Sequence, residues 1–153
     1  MNAISLYRLA HWLHRKRIPL VPTFLRNLTF LIFNSYIPPS ATIGRGTVFA
    51  YGAIGVVLHA DAKIGRGCVI GQGVTIGAAE AYVSREKHCC PTIGDHCYIG
   101  AGAKILGDII IGDRCQIGAG AVVIKDVPNH AIVVGVPARV VGQTPPDFLA
   151  IRP

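Results

Sequence analysis

The sequence has few charged residues, no Cys-X-X-Cys pair and no long apolar run. Charged residues make up 15% of the 153 residues and hydrophobic ones 51%, so one domain can supply a dry interior. Five cysteines without a CxxC pair argue against a secreted disulfide framework and favour free thiols. No stretch reaches the ~18–20 uninterrupted apolar residues of a membrane span, and charges lie inside the first apolar stretch, unlike in a signal peptide. We therefore expect a cytoplasmic protein.

The charge balance is basic, with a net charge of +7. Such a surface favours anionic partners, namely nucleic acid, anionic lipid or a polyphosphorylated cofactor. The basic residues are scattered, however, and no nucleic-acid-binding module is recognisable. We predict that nucleic acid is not a partner.

What the sequence has instead is an aliphatic residue at nearly every sixth position. The series includes Ile64, Ile70 and Ile76 and continues from Ile93 to Val123, usually with a glycine after the aliphatic residue. A second small or apolar residue follows four places later. A period of six matches neither an amphipathic helix nor an ordinary strand and is typical of the hexapeptide repeat of a parallel β-helix.

We therefore predict a mainly β fold, a parallel β-helix over residues 37–142. Known hexapeptide proteins wind left-handed, and we expect the same hand here. The aliphatic residues should point into a three-sided prism, and the glycines after them should turn the chain at positive φ.

The repeat is interrupted twice. Phe49 and Leu58 are nine residues apart, so three extra residues must bulge at a corner. Ile76 and Ile93 are seventeen apart, so about eleven residues should leave the prism as an excursion loop within residues 78–90. Insertions in solenoids project outward, often on the binding face, and we therefore expect this loop to take part in the chemistry.

The two ends of the chain lack the repeat. Residues 1–36 are predicted to form two helices, separated by Ile18-Pro19. They either pack against the prism base or a neighbouring subunit, or make peripheral contact with an anionic membrane through a basic amphipathic face. Residues 143–153, with three prolines, are predicted to be an irregular tail.

Two of the six histidines are candidates for catalysis. His59 follows Leu58 where most repeats have glycine, and such broken local rules concentrate at functional sites. His88 lies in the excursion loop. A neutral imidazole can remove a proton from an alcohol or an amine. The alternatives are a hydrogen-bonded structural role for His59 and an ordinary exposed position for His88.

The segments over residues 93–107 and 117–128, with the closing Gly135-Val-Pro-Ala-Arg139 motif, resemble serine O-acetyltransferases. The resemblance covers about residues 37–142, and the closing motif is shared by hexapeptide acyltransferases broadly. It implies a homotrimer of left-handed β-helices that uses acetyl-CoA, with each active site between two subunits.

The resemblance is less complete around the acceptor. Serine acetyltransferases carry an Asp-His pair near the second coil, where this chain has Ala50-Tyr51. The segment over residues 51–59 instead resembles polysaccharide-modifying acetyltransferases, in which a histidine occupies the position of His59. The resemblance therefore implies a sugar or exopolysaccharide precursor as acceptor, with serine as the alternative.

The resemblance also implies roles for individual residues. The backbone of Ala101 and Ala119 would line the pantetheine channel. Lys125 and Arg139 would approach the CoA phosphates, which suits their charge. The positions of the two histidines complete the assignment: His59, on the rigid prism, would be the general base, and His88, on the loop, would bind or orient the acceptor, with the reverse assignment open. No metal is expected.

Two other classes of function remain. A zinc hydratase of the γ-carbonic-anhydrase kind uses the same solenoid and three histidines shared across a trimer interface, which His59, His88 and His96 could nominally supply. The close histidine pair expected there is absent, because eight residues separate His88 from His96. A non-catalytic trimeric scaffold would account for the missing Asp-His pair.

Overall fold

The computed structural model describes residues 3–79 and 90–151. Their helices and strands are, in chain order, α1 (Ala3–Arg15), α2 (Val21–Phe33), β1 (Thr42–Ile43), β2 (Val48–Phe49), β3 (Val57–Leu58), β4 (Lys63–Ile64), β5 (Val69–Ile70), β6 (Thr75–Gly77), β7 (Thr92–Ile93), β8 (Tyr98–Ile99), β9 (Lys104–Leu106), β10 (Ile110–Ile111), β11 (Gln116–Ile117), β12 (Val122–Val123), β13 (Ala131–Val134) and β14 (Arg139–Gln143).

The strands form the three faces of a left-handed parallel β-helix, as the period of six predicts. Their orders are β1-β4-β7-β10, β2-β5-β8-β11-β13-β14 and β3-β6-β9-β12, and every pair is parallel except β13 with β14. The repeat-initiating residues are in register, so that Leu58 pairs with Ile76 and Ile76 with Ile105. These side chains are buried, which stacks one aliphatic column inside each face.

The residues four places after the aliphatic positions form the rest of the interior. Cys68, Cys97 and Cys115 are fully buried among them, and their thiols donate to carbonyl oxygens, as in the 3.0 Å contact from Cys97 to Gly112. Hydrogen bonding with the thiols of its neighbours, Cys115 and Cys68, together with burial, raises the pKa of Cys97. These three cysteines therefore act as small residues of the core.

The expected reason for the glycines after the aliphatic residues is wrong. Positive φ occurs two places later, at residues such as Gly73 and Gly102. The first glycine is needed because the next coil passes very close. A Cβ on Gly71 would lie 2.6 Å from the backbone nitrogen of Ala101, and one on Gly100 would lie 2.5 Å from that of Ala119.

Both interruptions fall where the spacing places them. The three extra residues before Leu58 form a 3₁₀ turn over Ala50–Ala53, in which Tyr51 and Ala53 have positive φ. For the second interruption, β6 ends at Gly77 and β7 begins at Thr92. Most of the predicted excursion loop, including His88, lies outside the described residues.

The two predicted N-terminal helices are present, and α1 packs on the first coil of the prism. The Tyr7 hydroxyl donates to the Ala41 carbonyl at 2.6 Å, and the Arg8 guanidinium donates to the carbonyls of Ile43 and Gly44. Helix α2 packs against α1 and buries only Pro22 and Thr29. None of the helices in the described ranges is long and apolar enough to cross a membrane.

The far end of the prism is closed by a strand that the sequence does not reveal. After the Gly135–Arg139 motif the chain reverses, and β14 pairs antiparallel with β13. This strand extends through Gln143, one residue into the segment predicted to be irregular. Thr144 is buried and its hydroxyl donates to the Arg114 carbonyl at 2.8 Å, so the start of the tail is fixed to the prism.

Candidate active site

His59 lies at the end of β3 on the rigid part of the prism. Its backbone N–H donates to the Ile76 carbonyl at 2.8 Å, and Gly77 occupies the equivalent position in the next coil, so no side chain stacks on the imidazole there. The His59 side chain is 33% exposed. It is held at the backbone and accessible at the ring, which suits a catalytic group.

The contacts of the His59 ring are made at Nδ1. The Cys90 Sγ lies 2.9 Å away, the Asp61 backbone N–H lies at 3.2 Å and the Asp61 carboxylate oxygen Oδ2 at 3.8 Å. A proton on Nδ1 would be donated to Sγ, whereas the Asp61 N–H favours the tautomer with the proton on Nε2. The thiol and the peptide N–H therefore compete for one nitrogen.

A cavity of about 450 Å³ opens beside this cluster. It lies over the face β1-β4-β7-β10 and is lined by Ser40, Thr42, Asp61, Lys63, Cys90, Thr92 and Asp108. Asp61 and Cys90 thus belong both to the cavity wall and to the surroundings of His59. The described part of the wall offers one ammonium, two carboxylates and three hydroxyls, which can bind a small polar molecule carrying both signs of charge.

The register of the sheet explains why Asp61 and Cys90 meet. Each lies two residues before a strand, and Lys63 of β4 pairs directly with Thr92 of β7. Sequence reasoning did not assign a role to either residue. The sequence does show that both residues precede a strand by two positions. This predicts their contact only once β4 and β7 are known to be neighbours across the excursion loop.

The same cluster is the place to test for a metal. Within the described ranges, the group of three potential ligands is His59, Asp61 and Cys90, whose donor atoms lie within 4.8 Å of one another. The 2.9 Å separation of Nδ1 and Sγ is shorter than the roughly 3.3–3.8 Å between ligand atoms around tetrahedral zinc, and Lys63 shares the cavity wall. The arrangement fits a hydrogen bond better than a metal ion.

The three-histidine set of a zinc hydratase is not assembled from the described part of the chain. His96 is not in the cluster with His59. It has positive φ in the turn before β8, and its Nδ1 is buried without a hydrogen-bond partner among the described residues. His88 lies among residues 80–89, so its role remains a prediction.

The residues assigned to the cofactor lie in stacked turns. Ala101 and Ala119 occupy equivalent positions in successive coils, joined by the 2.8 Å hydrogen bond from the Gly120 N–H to the Ala101 carbonyl. Lys125 and Arg139 are both exposed near the last coil, where the Ala138 N–H donates to the Val122 carbonyl. The geometry is compatible with the predicted roles and does not test them.

Comparison with known proteins finds similar chains. Residues 90–125 match the protein-family model described as "Bacterial transferase hexapeptide (six repeats)". The chain is 42% identical to the serine acetyltransferase of Synechococcus elongatus, over 92% of this chain and 56% of the relative. It is 43% identical to that of Mycobacterium tuberculosis, over 96% of this chain and 62% of the relative.

A solved structure gives the same result. The serine acetyltransferase of Brucella abortus in complex with coenzyme A superposes with a TM-score of 0.87 at 38% identity, covering 94% of this chain and 56% of that one. The chain thus spans 56–62% of the length of these relatives. They do not support the narrower expectation of a polysaccharide-modifying branch. Over the region that it shares with them, the chain is similar to serine acetyltransferases and carries their hexapeptide repeat.

Proposed function

We propose that the protein is an acetyl-CoA-dependent O-acetyltransferase whose acceptor is serine or a closely similar hydroxy amino acid. The observation that carries the proposal is the position of His59, on the rigid prism beside a cavity with both signs of charge. Relatives named serine acetyltransferases, one of them solved with coenzyme A, support the same reaction.

His59 would act as a general base through Nε2. The acceptor hydroxyl loses its proton to Nε2 while its oxygen attacks the thioester carbonyl of acetyl-CoA. The tetrahedral intermediate, stabilised by backbone N–H groups at the coil corners, then breaks the carbon–sulfur bond. The imidazolium returns the proton to the departing CoA thiolate, so that atoms and charge balance without an acyl-enzyme.

The competing contacts at Nδ1 determine whether this step is possible. Nε2 has a lone pair only when the proton of the neutral ring is on Nδ1. The Cys90 sulfur at 2.9 Å is the acceptor that would hold that proton, and the Asp61 carboxylate at 3.8 Å would stabilise the imidazolium. Cys90 is therefore proposed as a positioning residue and not as a nucleophile.

The charges of the cavity favour an amino acid over a neutral sugar. The Lys63 ammonium can bind a carboxylate, and Asp61 or Asp108 can bind an ammonium group. The relatives point to the same acceptor. The sequence feature that favours a saccharide is Ala50-Tyr51 in place of an Asp-His pair, and the cavity hydroxyls of Ser40, Thr42 and Thr92 could serve such an acceptor.

The cofactor is proposed to bind along the stacked turns. The backbone at Ala101 and Ala119 would follow the pantetheine arm, and Lys125 and Arg139 would meet the phosphates. His88 is proposed to bind or orient the acceptor.

A trimer is part of the proposal, since family members place each site between subunits. The outer faces of the prism expose apolar side chains, including Val57, Tyr98 and Ile110, and association is the usual way to cover them. Light scattering should give about three times the chain mass of 16.2 kDa. A stable monomer at micromolar concentration would contradict the trimer and weaken the shared site.

Release of CoA thiol in the presence of acetyl-CoA tests the function. L-serine should be acetylated faster than ethanolamine, which lacks the carboxylate, and faster than 3-hydroxypropionate, which lacks the amine. Lys63→Met should reduce the difference in acetylation rate between serine and ethanolamine. Lys104 is an exposed lysine on β9, and Lys104→Met is the matched control. Acetylation of oligosaccharides but not serine would restore the saccharide acceptor, and no thiol release with any acceptor would overturn the proposal.

A further inference from the structure

The positive charge of the chain is concentrated at its N-terminal end. Residues 1–60 contain six Lys or Arg residues and no Asp or Glu, because the first acidic residue is Asp61. Six of the seven net positive charges therefore lie in the part that forms α1, α2 and the first coil. Positive and negative charges nearly balance in the rest of the chain. The positive electrostatic potential is therefore concentrated at one end of the protein.

Three of these basic residues are together and exposed. Arg15, Lys16 and Arg17 end α1 and begin the turn to α2. In the part of the chain that the structure describes, none of the three side chains makes a hydrogen bond or ion pair. Their charge is available to a partner.

Apolar side chains of the same two helices and of the turn between them are also exposed. Leu20 is 83% exposed, Phe24 65% and Leu31 80%. Phe24 and Leu31 are seven residues apart and therefore lie on one face of α2. On α1, Trp12 is 55% exposed. We call Trp12, Leu20, Phe24 and Leu31, with the cluster over residues 15–17, the hairpin face.

We propose that the hairpin face binds the surface of an anionic membrane. Apolar and aromatic side chains next to Lys and Arg are the combination that inserts into the interface while the cations meet lipid headgroups. A second copy of the chain fits less well, because it would bring another positively charged surface against the first. The buried side of α1 keeps the hairpin on the prism through Tyr7 and Arg8, so the whole prism would be held at the membrane.

The single tryptophan of the chain lies in the hairpin face and provides the measurement. Vesicles of phosphatidylcholine mixed with phosphatidylglycerol should shift Trp12 emission to the blue and carry the protein in flotation at low salt. Vesicles of phosphatidylcholine alone should do neither. High salt should weaken the binding, because exposed charges are screened.

Two double variants distinguish the effect of charge in the hairpin face from the effect of the net charge of the protein on vesicle binding. Lys16→Gln with Arg17→Gln should weaken vesicle binding by about thirtyfold. Arg66→Gln with Lys104→Gln removes the same charge from the prism and should leave binding nearly unchanged. Phe24→Ser with Leu31→Ser should abolish the emission shift. Circular dichroism should show that every variant keeps the parent's spectrum.

Three results would overturn the proposal. They are no binding to anionic vesicles at low salt, equal losses in the two charge variants, and vesicle binding that Phe24→Ser with Leu31→Ser leaves intact. Self-association removed by that apolar variant, without vesicle binding, would assign the face to a second copy instead. None of these readouts depends on acetyl transfer, so the outcome is independent of the proposed function.

Discussion

The Sγ atom of Cys90 lies 2.9 Å from Nδ1 of His59, although the two residues are 31 positions apart in the chain. The Asp61 N–H approaches the same nitrogen at 3.2 Å. The peptide N–H can only donate to this nitrogen, whereas the thiol can also accept its proton, so the two neighbours can favour opposite tautomers. Which one prevails decides whether Nε2 can accept a proton from a substrate.

His59→Ala should lower kcat by about 10²–10⁴-fold, the usual cost of removing a general base. Binding of CoA, measured by calorimetry, should be unchanged because His59 is not among the residues proposed to bind the cofactor. His14→Ala on the exposed side of α1 is the control and should behave like the parent. If His59→Ala keeps most of its activity while His88→Ala is inactive, the loop histidine is the base.

Cys90→Val should lower kcat more than Cys90→Ser. Valine removes the acceptor at Nδ1 and leaves the Asp61 N–H, which favours a proton on Nε2, whereas serine retains an oxygen. NMR of ring-labelled histidine should show the tautomer change in the valine variant, a signature that simple loss of packing would not produce. Equal kcat in both variants with an unchanged tautomer would exclude the positioning role.

Lys125→Ala and Arg139→Ala should each raise the KM for acetyl-CoA and leave kcat nearly unchanged. The increase should be larger at low ionic strength, because both side chains are exposed and their attraction for phosphate is screened by salt. Lys104→Ala removes an exposed charge from β9 and serves as the comparison. Parent-like CoA affinity in both variants would show that the phosphates bind elsewhere.

Gly100→Ala and Gly102→Ala test the two roles of glycine within one turn. A Cβ at Gly100 would lie 2.5 Å from the Ala119 nitrogen, so the coils must move apart at a cost of about 3 kcal/mol. Gly102 has φ of +68 with nothing within 4 Å of the added atom, so only backbone strain of about 1–2 kcal/mol applies. Denaturant unfolding should rank Gly100→Ala as less stable, and the reverse order would contradict the close-approach argument.

The sequence alone determined the β-helix and the place of its two interruptions. A period of six is a local and repeated signal, and every Ile or Leu that starts a repeat proved to be buried. The two N-terminal helices were also predictable, because Ile18-Pro19 separates two apolar segments. Strand β14 could not be predicted, because nothing in the hexapeptide repeat indicates a strand that turns back antiparallel to β13.

Tertiary structure decided which side chains meet. His59 was identifiable as a broken glycine position, but its partners Asp61 and Cys90 were not, because they come together only when β4 pairs with β7 across the excursion loop. The need for glycine after each aliphatic residue also depends on tertiary structure, because the coils approach each other closely only once the repeats are stacked. Exposure of Phe24 and Leu31 was likewise decided by packing, because α2 contacts α1 and leaves its other face uncovered.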